Sequence, residues 1–314
     1  MATPLLAVVI AFAAEPTAER TGSLAAEPVV DSTTRVQMQN VDYYVDPQIR
    51  LKIRSLLGHM RSRTGGPILF DDKTAFIISI ARAEIGLTGP DMSVLLNKYV
   101  FGFKDSPLSN LKVSISGNEM VQKGTLRNVA RLPFVIRAVL SATPDGRIRI
   151  HPTRIEILGL HVDKLMKGLG LSLDKIIDLS KAKGATVDGN DILLNPTSIM
   201  PPPAIQGKVT GIRLDDDQIV MEFGDAAGAA LAVSDTLAHN YMYYRGGTLR
   251  FGKLMMLDAD MLITDLDPAD PFRFDLARYQ PQLIAGYSKS LASGGLEVFM
   301  KDIDKLSASR AASR

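Results

Sequence analysis

No cysteine occurs in the 314 residues, which removes disulfides, thiolate metal sites, a catalytic thiol and a lipid-modified cysteine anchor together. Histidine is nearly as scarce. His59, His151, His161 and His239 stand singly, with no H-x-x-x-H or H-E-x-x-H spacing to set two imidazoles on one helical face around zinc. Net charge is almost absent, with 36 Lys+Arg against 34 Asp+Glu, so the dense basic field that DNA phosphates require is missing and no nucleic-acid partner is expected. No stretch reaches the roughly 18 consecutive apolar residues of a membrane-spanning helix. Gly65-Gly66, Gly246-Gly247 and Gly294-Gly295 belong to neither G-x-G-x-x-G nor G-x-x-x-x-G-K-[ST], and there is no G-x-S-x-G elbow. No cofactor, no metal and no catalytic residue is expected.

What is present is strand alternation. Across Leu108–Leu158, four runs are apolar on alternate residues and separated by turn signals, the pattern of an antiparallel meander. Leu111, Val113 and Ile115 alternate with Lys112, Ser114 and Ser116; Gly117-Asn118 turns the chain into Met120–Arg127; Phe134, Ile136, Ala138 and Leu140 share the next face; Pro144-Asp145-Gly146 turns into Arg147–Ile157. Two strands change parity within their length. In Lys73–Leu87 the apolar set moves from Phe76, Ile78 and Ile80 to Ala81, Ala83, Ile85 and Leu87; in Arg147–Ile157 it moves from Ile148 and Ile150 to Ile155 and Ile157. Each shift implies a bulge or bend, and two bent strands imply a strongly curved sheet.

At the N-terminus, Pro4–Ala14 is apolar and ends in Ala11-Phe12-Ala13 ahead of Glu15-Pro16, which resembles a secretory signal cleaved after Ala13 or Ala14. Residues 15–40 are poor in large apolar side chains and read as a disordered tether. The main domain is expected over 41–223, a hinge in the Ala/Gly-rich 224–234, a β-rich extension over 235–303 packed on or continuing that domain, and a polar tail over 304–314. Thr88 caps a short helix carrying Met92, Leu95, Leu96 and Tyr99 on one face; Leu160–Leu179 reads as a second helical region with Val162, Leu165, Met166 and Leu169, restarting after Ser172 with Leu173, Ile176 and Ile177, its apolar stripe expected against the concave face of the preceding sheet. Ile205–Leu214 and Gln218–Phe223 are expected as strands, Gly246-Gly247 as a hairpin turn between Tyr241–Arg245 and Thr248–Phe251, and Lys253–Asp265 as one strand. Phe272–Tyr287 is readable as helix or strand.

Arg50, Lys52 and Arg54 alternate with Ile49, Leu51 and Ile53, giving a strand with one basic face. That face is either the solvent side of an antiparallel sheet or a stripe touching anionic headgroups. The acidic run Asp258, Asp260, Asp265, Asp267 and Asp270 lacks the EF-hand spacing, and its residues read as turn formers. Tyr241, Tyr243 and Tyr244 beside Arg245 read as cross-strand aromatics before they read as a stacking platform.

The Met92–Tyr99 helix, the hairpin from Leu111-Lys112-Val113 to Lys123-Gly124-Thr125-Leu126, and Pro133-Phe134 leading into the Asp145–Ile150 hairpin give Ile85–Phe223 a layout. It resembles the bacterial LmeA-like phospholipid-binding family of the tubular lipid-binding (TULIP) superfamily, over somewhat under half the chain. The resemblance implies an α+β fold in which a strongly curved antiparallel sheet wraps an amphipathic helix, with acyl chains between them. Leu95, Leu96, Tyr99, Leu111, Val113, Phe134, Ile136, Ala138, Leu165, Met166 and Leu169 are then the candidate lining, and a phospholipid or other acyl-chain lipid is the expected ligand. Each buried CH₂ contributes roughly 0.8 kcal/mol, so a sixteen-carbon chain leaving a membrane alone faces on the order of 12 kcal/mol that a dry groove removes. The expectation is an exported, non-enzymatic carrier or sensor of the cell envelope. A structural scaffold with a filled core is the second reading, and an exported hydrolase the third.

Overall fold

The computed structural model describes residues 33–127, 131–162, 172–224 and 239–306. The expected signal, residues 15–32 of the tether, 225–234 of the hinge and 307–314 of the tail lie outside them. The protein is a β-rich α+β fold, whose described residues form three sheets with eleven, seven and three strands. No described helix is long and apolar enough to cross a membrane.

The large sheet runs in the order Val209–Asp215, Gln218–Phe223, Phe76–Thr88, Ile49–Ser62, Thr33–Asp46, Tyr241–Arg245, Asp260–Asp265, Leu296–Met300, Tyr287–Ser290. Two parallel additions, Ala204–Gln206 on Phe76–Thr88 and Phe272–Asp275 on Thr33–Asp46, complete it. Thr33–Asp46 already begins within the stretch expected as tether, because Val36 and Met38 alternate into the core and give residues 33–40 apolar surface to bury. The segment 239–306 is not a separate layer: Tyr241–Arg245 pairs directly with Thr33–Asp46, so this segment continues the sheet that the first described strand begins. Nor are residues 304–306 free of structure, since Asp304 and Lys305 are held by ion pairs to Arg273 and to Asp267, Asp270 and Asp302.

The expected meander is the centre of the second sheet: Leu108–Ser116, Glu119–Arg127, Arg131–Ala142 and Ile148–Ile157, extended by Asp191–Leu194 and Ala185–Asp188. Both parity shifts are bulges. Ala81 falls between the pairs Leu57↔Arg82 and Gly58↔Ile80, and Thr153 between Arg137↔Arg154 and Ala138↔Pro152. The inner face of this sheet and one face of the large sheet bury their apolar sets in one continuous core.

The helix Gly89–Leu95 starts as expected, with Thr88 and Asp91 forming a capping box, and continues as a wider π-type turn over Leu96–Val100. It closes the open edge of Leu108–Ser116. Asn97 accepts from the Leu111 amide at 2.9 Å and donates to the Leu111 carbonyl at 2.7 Å, while Ser93 Oγ accepts from the Val113 amide at 2.8 Å. A Cβ on Gly89 would stand 2.5 Å from the Val113 carbonyl, so only glycine lets the helix approach this closely.

Four expectations need correction. Leu160–His161 is a strand paired with Ile148–Ile157 and the restart after Ser172 is a single 3₁₀ turn, Leu173–Lys175, while 163–171 of the expected helical region lie outside the described residues. Ile205–Leu214 divides at Gly207 into Ala204–Gln206 and Val209–Asp215. Gly246-Gly247 does not close a hairpin but carries the chain from the large sheet to the small one, where Thr248–Phe251 pairs with Leu254–Leu257. Gly247 has φ +68° and a Cβ there would meet the Thr33 carbonyl at 2.2 Å, so the crossing needs glycine twice over. Lys253–Asp265 accordingly splits into Leu254–Leu257 and Asp260–Asp265, with Asp258 left-handed between them.

Candidate functional site

Alternation puts Phe134 and Ile136, Ile155 and Ile157, and Leu108 and Leu126 on the inner face of the meander. Across from them, Leu173, Ile176 and Ile177 come down from the 3₁₀ turn, and Ile192 closes the side. The compartment these residues enclose holds a void of about 30 Å³, the share of liquid taken by about one water molecule. Gly124 sits in the same face because Leu111 and Phe134 close over it: a Cβ there would come within 2.6 Å of Leu111 and 2.9 Å of the Phe134 ring. The one polar side chain among the described lining residues is Gln122, opposite Ile136 and 5% exposed.

The expected lining residues divide between places. Phe134 and Ile136 belong to this compartment. Leu96, with Met92, belongs to a second void of about 10 Å³ beside Met120, Leu140, Ile148, Ile150, Leu194 and Ile219. Leu95, Leu111, Val113 and Ala138 are buried in the common core, Leu95 and Ala138 completely. Tyr99 packs half-buried against that core and its hydroxyl donates to Asp46 Oδ2 at 2.7 Å. Leu165, Met166 and Leu169 lie outside the described residues. Ile155, Ile157, Leu108, Leu126 and Gln122 were not among the expected lining, although the same parity that selects Phe134 selects them. A third void of about 30 Å³ lies under Met200, Pro201, Pro203 and Ile205 on the large sheet.

Arg50, Lys52 and Arg54 line a surface pocket of about 330 Å³ with Asn40, Asp42, Glu84 and Gln218. Carboxylates answer them there: Arg50 meets Asp42 at 3.0 Å, Arg54 meets Glu84 at 3.3 Å, and Lys52 stands 4.0 Å from Asp217. Burial pushes the Asp42 carboxyl up, against the pull of Arg50, Lys52 and Arg273. A broader open depression of about 980 Å³ surrounds the helix Tyr279–Ile284, with Ile284 exposed on its rim.

The acidic run is split by the fold. Asp260 binds Tyr243, Arg245 and Ser293. Asp267, Asp270 and Asp302 come together with the Lys305 ammonium among them, 3.2 Å from Asp270, 2.8 Å from Asp302 and in contact with Asp267. That ammonium supplies the counter-charge a cation would bring. Tyr241 and Tyr243 are buried with Leu262, and Tyr244 packs edge-on against Phe70 in the core, so these rings form no open platform. Among the described residues the only cluster with metal-ligand geometry is the acidic one, and no histidine takes part in it. Comparison with family models, with curated proteins and with solved structures returns no match.

Proposed function

We propose that this protein is an exported, non-enzymatic lipid-binding protein that takes phospholipid-like acyl chains under the inner face of the meander, as a carrier or sensor at the cell envelope. The lining carries the proposal: an apolar compartment with one buried amide, Gln122, covered among the described residues by Leu173, Ile176 and Ile177 at and just after a 3₁₀ turn. A chain enters only if Leu173, Ile176 and Ile177 move out. Exposing three such side chains costs about 5 to 9 kcal/mol, less than the roughly 12 kcal/mol that burying a sixteen-carbon chain returns. The finer architecture, a strongly curved sheet around an amphipathic helix as in the tubular lipid-binding superfamily, belongs to the same proposal. The bulges at Ala81 and Thr153 support curvature, and Met92 and Leu96 support the helix, since both pack between the meander and Ile219 of the large sheet.

The scaffold reading also has an observation in its favour, the closure of the core at Leu95 and Ala138, both 0% exposed. Mass spectrometry of an organic extract of the purified protein separates the two. Diacyl lipid in near-stoichiometric amount is the expected result; a lipid-free extract together with no uptake from vesicles sinks the carrier and leaves the scaffold. Export has its own check, because the mature chain is expected to start at Ala14 or Glu15, and an intact Met1 or Ala2 on the native protein overturns it.

A further inference from the structure

The outer face of the meander sheet is built from the residues that alternate with its buried set, and its register brings like charges together. Lys112 stands directly opposite Lys123, Arg127 opposite Arg131, and Arg137 opposite Arg154. Facing residues in an antiparallel pair have Cβ atoms about 4.5–5.5 Å apart, so each of these pairs is repulsive in the isolated protein. Arg137 has Glu119 at 3.6 Å. The other five cations have no ion-pair partner among the described residues, in contrast to Arg50, Lys52 and Arg54 on the large sheet, each of which has a carboxylate nearby. On this face Glu156 is engaged with His161, and Asp191 with Arg149 and His151.

At the same end of the sheet two leucines point into solvent. Leu158 is 60% and Leu160 69% exposed, on either side of Gly159. Leu158 is held at φ +53°, a left-handed conformation that residues with a side chain seldom adopt. Its amide donates to the Pro133 carbonyl at 3.0 Å, which fixes the turn beside Arg131. Val139, on the same outer face, is 40% exposed.

We propose that this face docks on an anionic phospholipid bilayer, with the three cationic pairs against the headgroups and Leu158 and Leu160 in the interface. An anionic plane relieves all three repulsions at once, and basic residues near such a surface each add to the attraction. The leucines favour a bilayer over a nucleic acid, since apolar side chains gain nothing against a phosphate backbone and no large aromatic side chain is exposed on this face among the described residues. The docked edge also carries Ile157, which lines the apolar compartment, so the proposal rests on the lipid-binding reading for its purpose though not for its test.

The test is co-sedimentation of the full chain with phosphatidylcholine vesicles, with and without phosphatidylglycerol. The wild type is expected to bind only the anionic vesicles. Reversal of two charges, Arg127→Glu with Lys123→Glu, should weaken binding about tenfold or more. Leu158→Ser with Leu160→Ser should leave binding at low salt and remove what persists at physiological salt. The same charge reversal turns two repulsive pairs into attractive ones, so it should raise the denaturant midpoint while lowering vesicle binding, an opposition that a misfolded variant cannot produce. The proposal is overturned if the wild type ignores anionic vesicles, if Arg50→Glu with Lys52→Glu abolishes binding while the meander variants do not, or if single-stranded RNA binds as tightly and the leucine changes have no effect. Lipid in the organic extract with no vesicle binding removes the docking face alone. Vesicle binding with a lipid-free extract removes the lipid-holding reading alone.

Discussion

Gln122 is the side chain at which the inner face of the meander departs from apolarity, and it separates a compartment from a core. In a finished core the position opposite Ile136 would hold Leu or Met; here it holds an amide that is 5% exposed. Gln122→Leu is therefore expected to stabilise the lipid-free protein by about 1 kcal/mol and to lower the amount of lipid it retains. Equal lipid content in the variant and wild type would deny the amide any part in binding. Ala138 gives the opposite case. It is wholly buried, with Met120 and Pro152 in register on either side, so Ala138→Phe should cost about 1–3 kcal/mol in urea unfolding. An unchanged midpoint would mean that the space beside Ala138 opens, and that the groove reaches further along the strand than the voids indicate.

Among the elements, the helix and π-turn over Gly89–Val100 guard the edge of the meander through side chains that imitate a neighbouring strand. Asn97 satisfies both backbone groups of Leu111. Asn97→Ala should cost about 1–3 kcal/mol and speed hydrogen exchange at the Leu111 amide before its neighbours in the sheet interior. Uniform exchange across the strand would show that the edge is protected by something else. This clamp was not legible in the sequence, because it depends on which strand the helix meets. The capping box at Thr88, the four meander strands and both bulges were legible, since each is written in local spacing or parity. The crossing at Gly246-Gly247 was misread for the reverse reason: two glycines look the same whether the chain returns to its neighbour or leaves for another sheet. Of the candidate site, parity found Phe134 and Ile136, and the apolar stripe of Leu173, Ile176 and Ile177 pointed to the preceding sheet as its cover, where the structure places all three. The outer basic face was hidden by arithmetic. A balanced net charge says nothing about which lysines and arginines the register sets side by side.

At the scale of the molecule, Thr33–Asp46 joins everything, with Ile49–Ser62 on one side and Tyr241–Arg245 and Phe272–Asp275 on the other. Its neighbour changes at Asn40, which has φ +52° and donates to Asn240 at 2.6 Å. Asn240 is buried and donates in turn to Asp265 at 3.2 Å, so a polar chain runs from the first strand to the carboxylates that hold Lys305. Burial pushes the Asp265 carboxyl up to about 7; Asp302 adds to the rise, and the Asp267 amide, Asn240 and Lys305 oppose it. The folded protein thus keeps a proton that the unfolded chain releases near pH 4. This group's contribution to stability is full below about pH 4, declines as pH rises, and is level above about pH 7. Asp46 and Asp260 work in the other direction: burial alone would raise them, but hydrogen bonds from Lys98 and Tyr99 to Asp46, and from Ser293, Tyr243 and Arg245 to Asp260, hold both below the ordinary range. Their contribution is lost as pH falls below about 4, so the total curve mixes both signs. The difference between the wild type and Asp265→Asn isolates the one group, because the amide does not titrate. Urea unfolding of the two proteins across that range should give a wild-type advantage that shrinks steadily from about pH 4 to about pH 7 and then stays constant. A difference that does not vary with pH would mean that Asp265 is ionised in the folded protein, with Lys305 and Asn240 outweighing its burial.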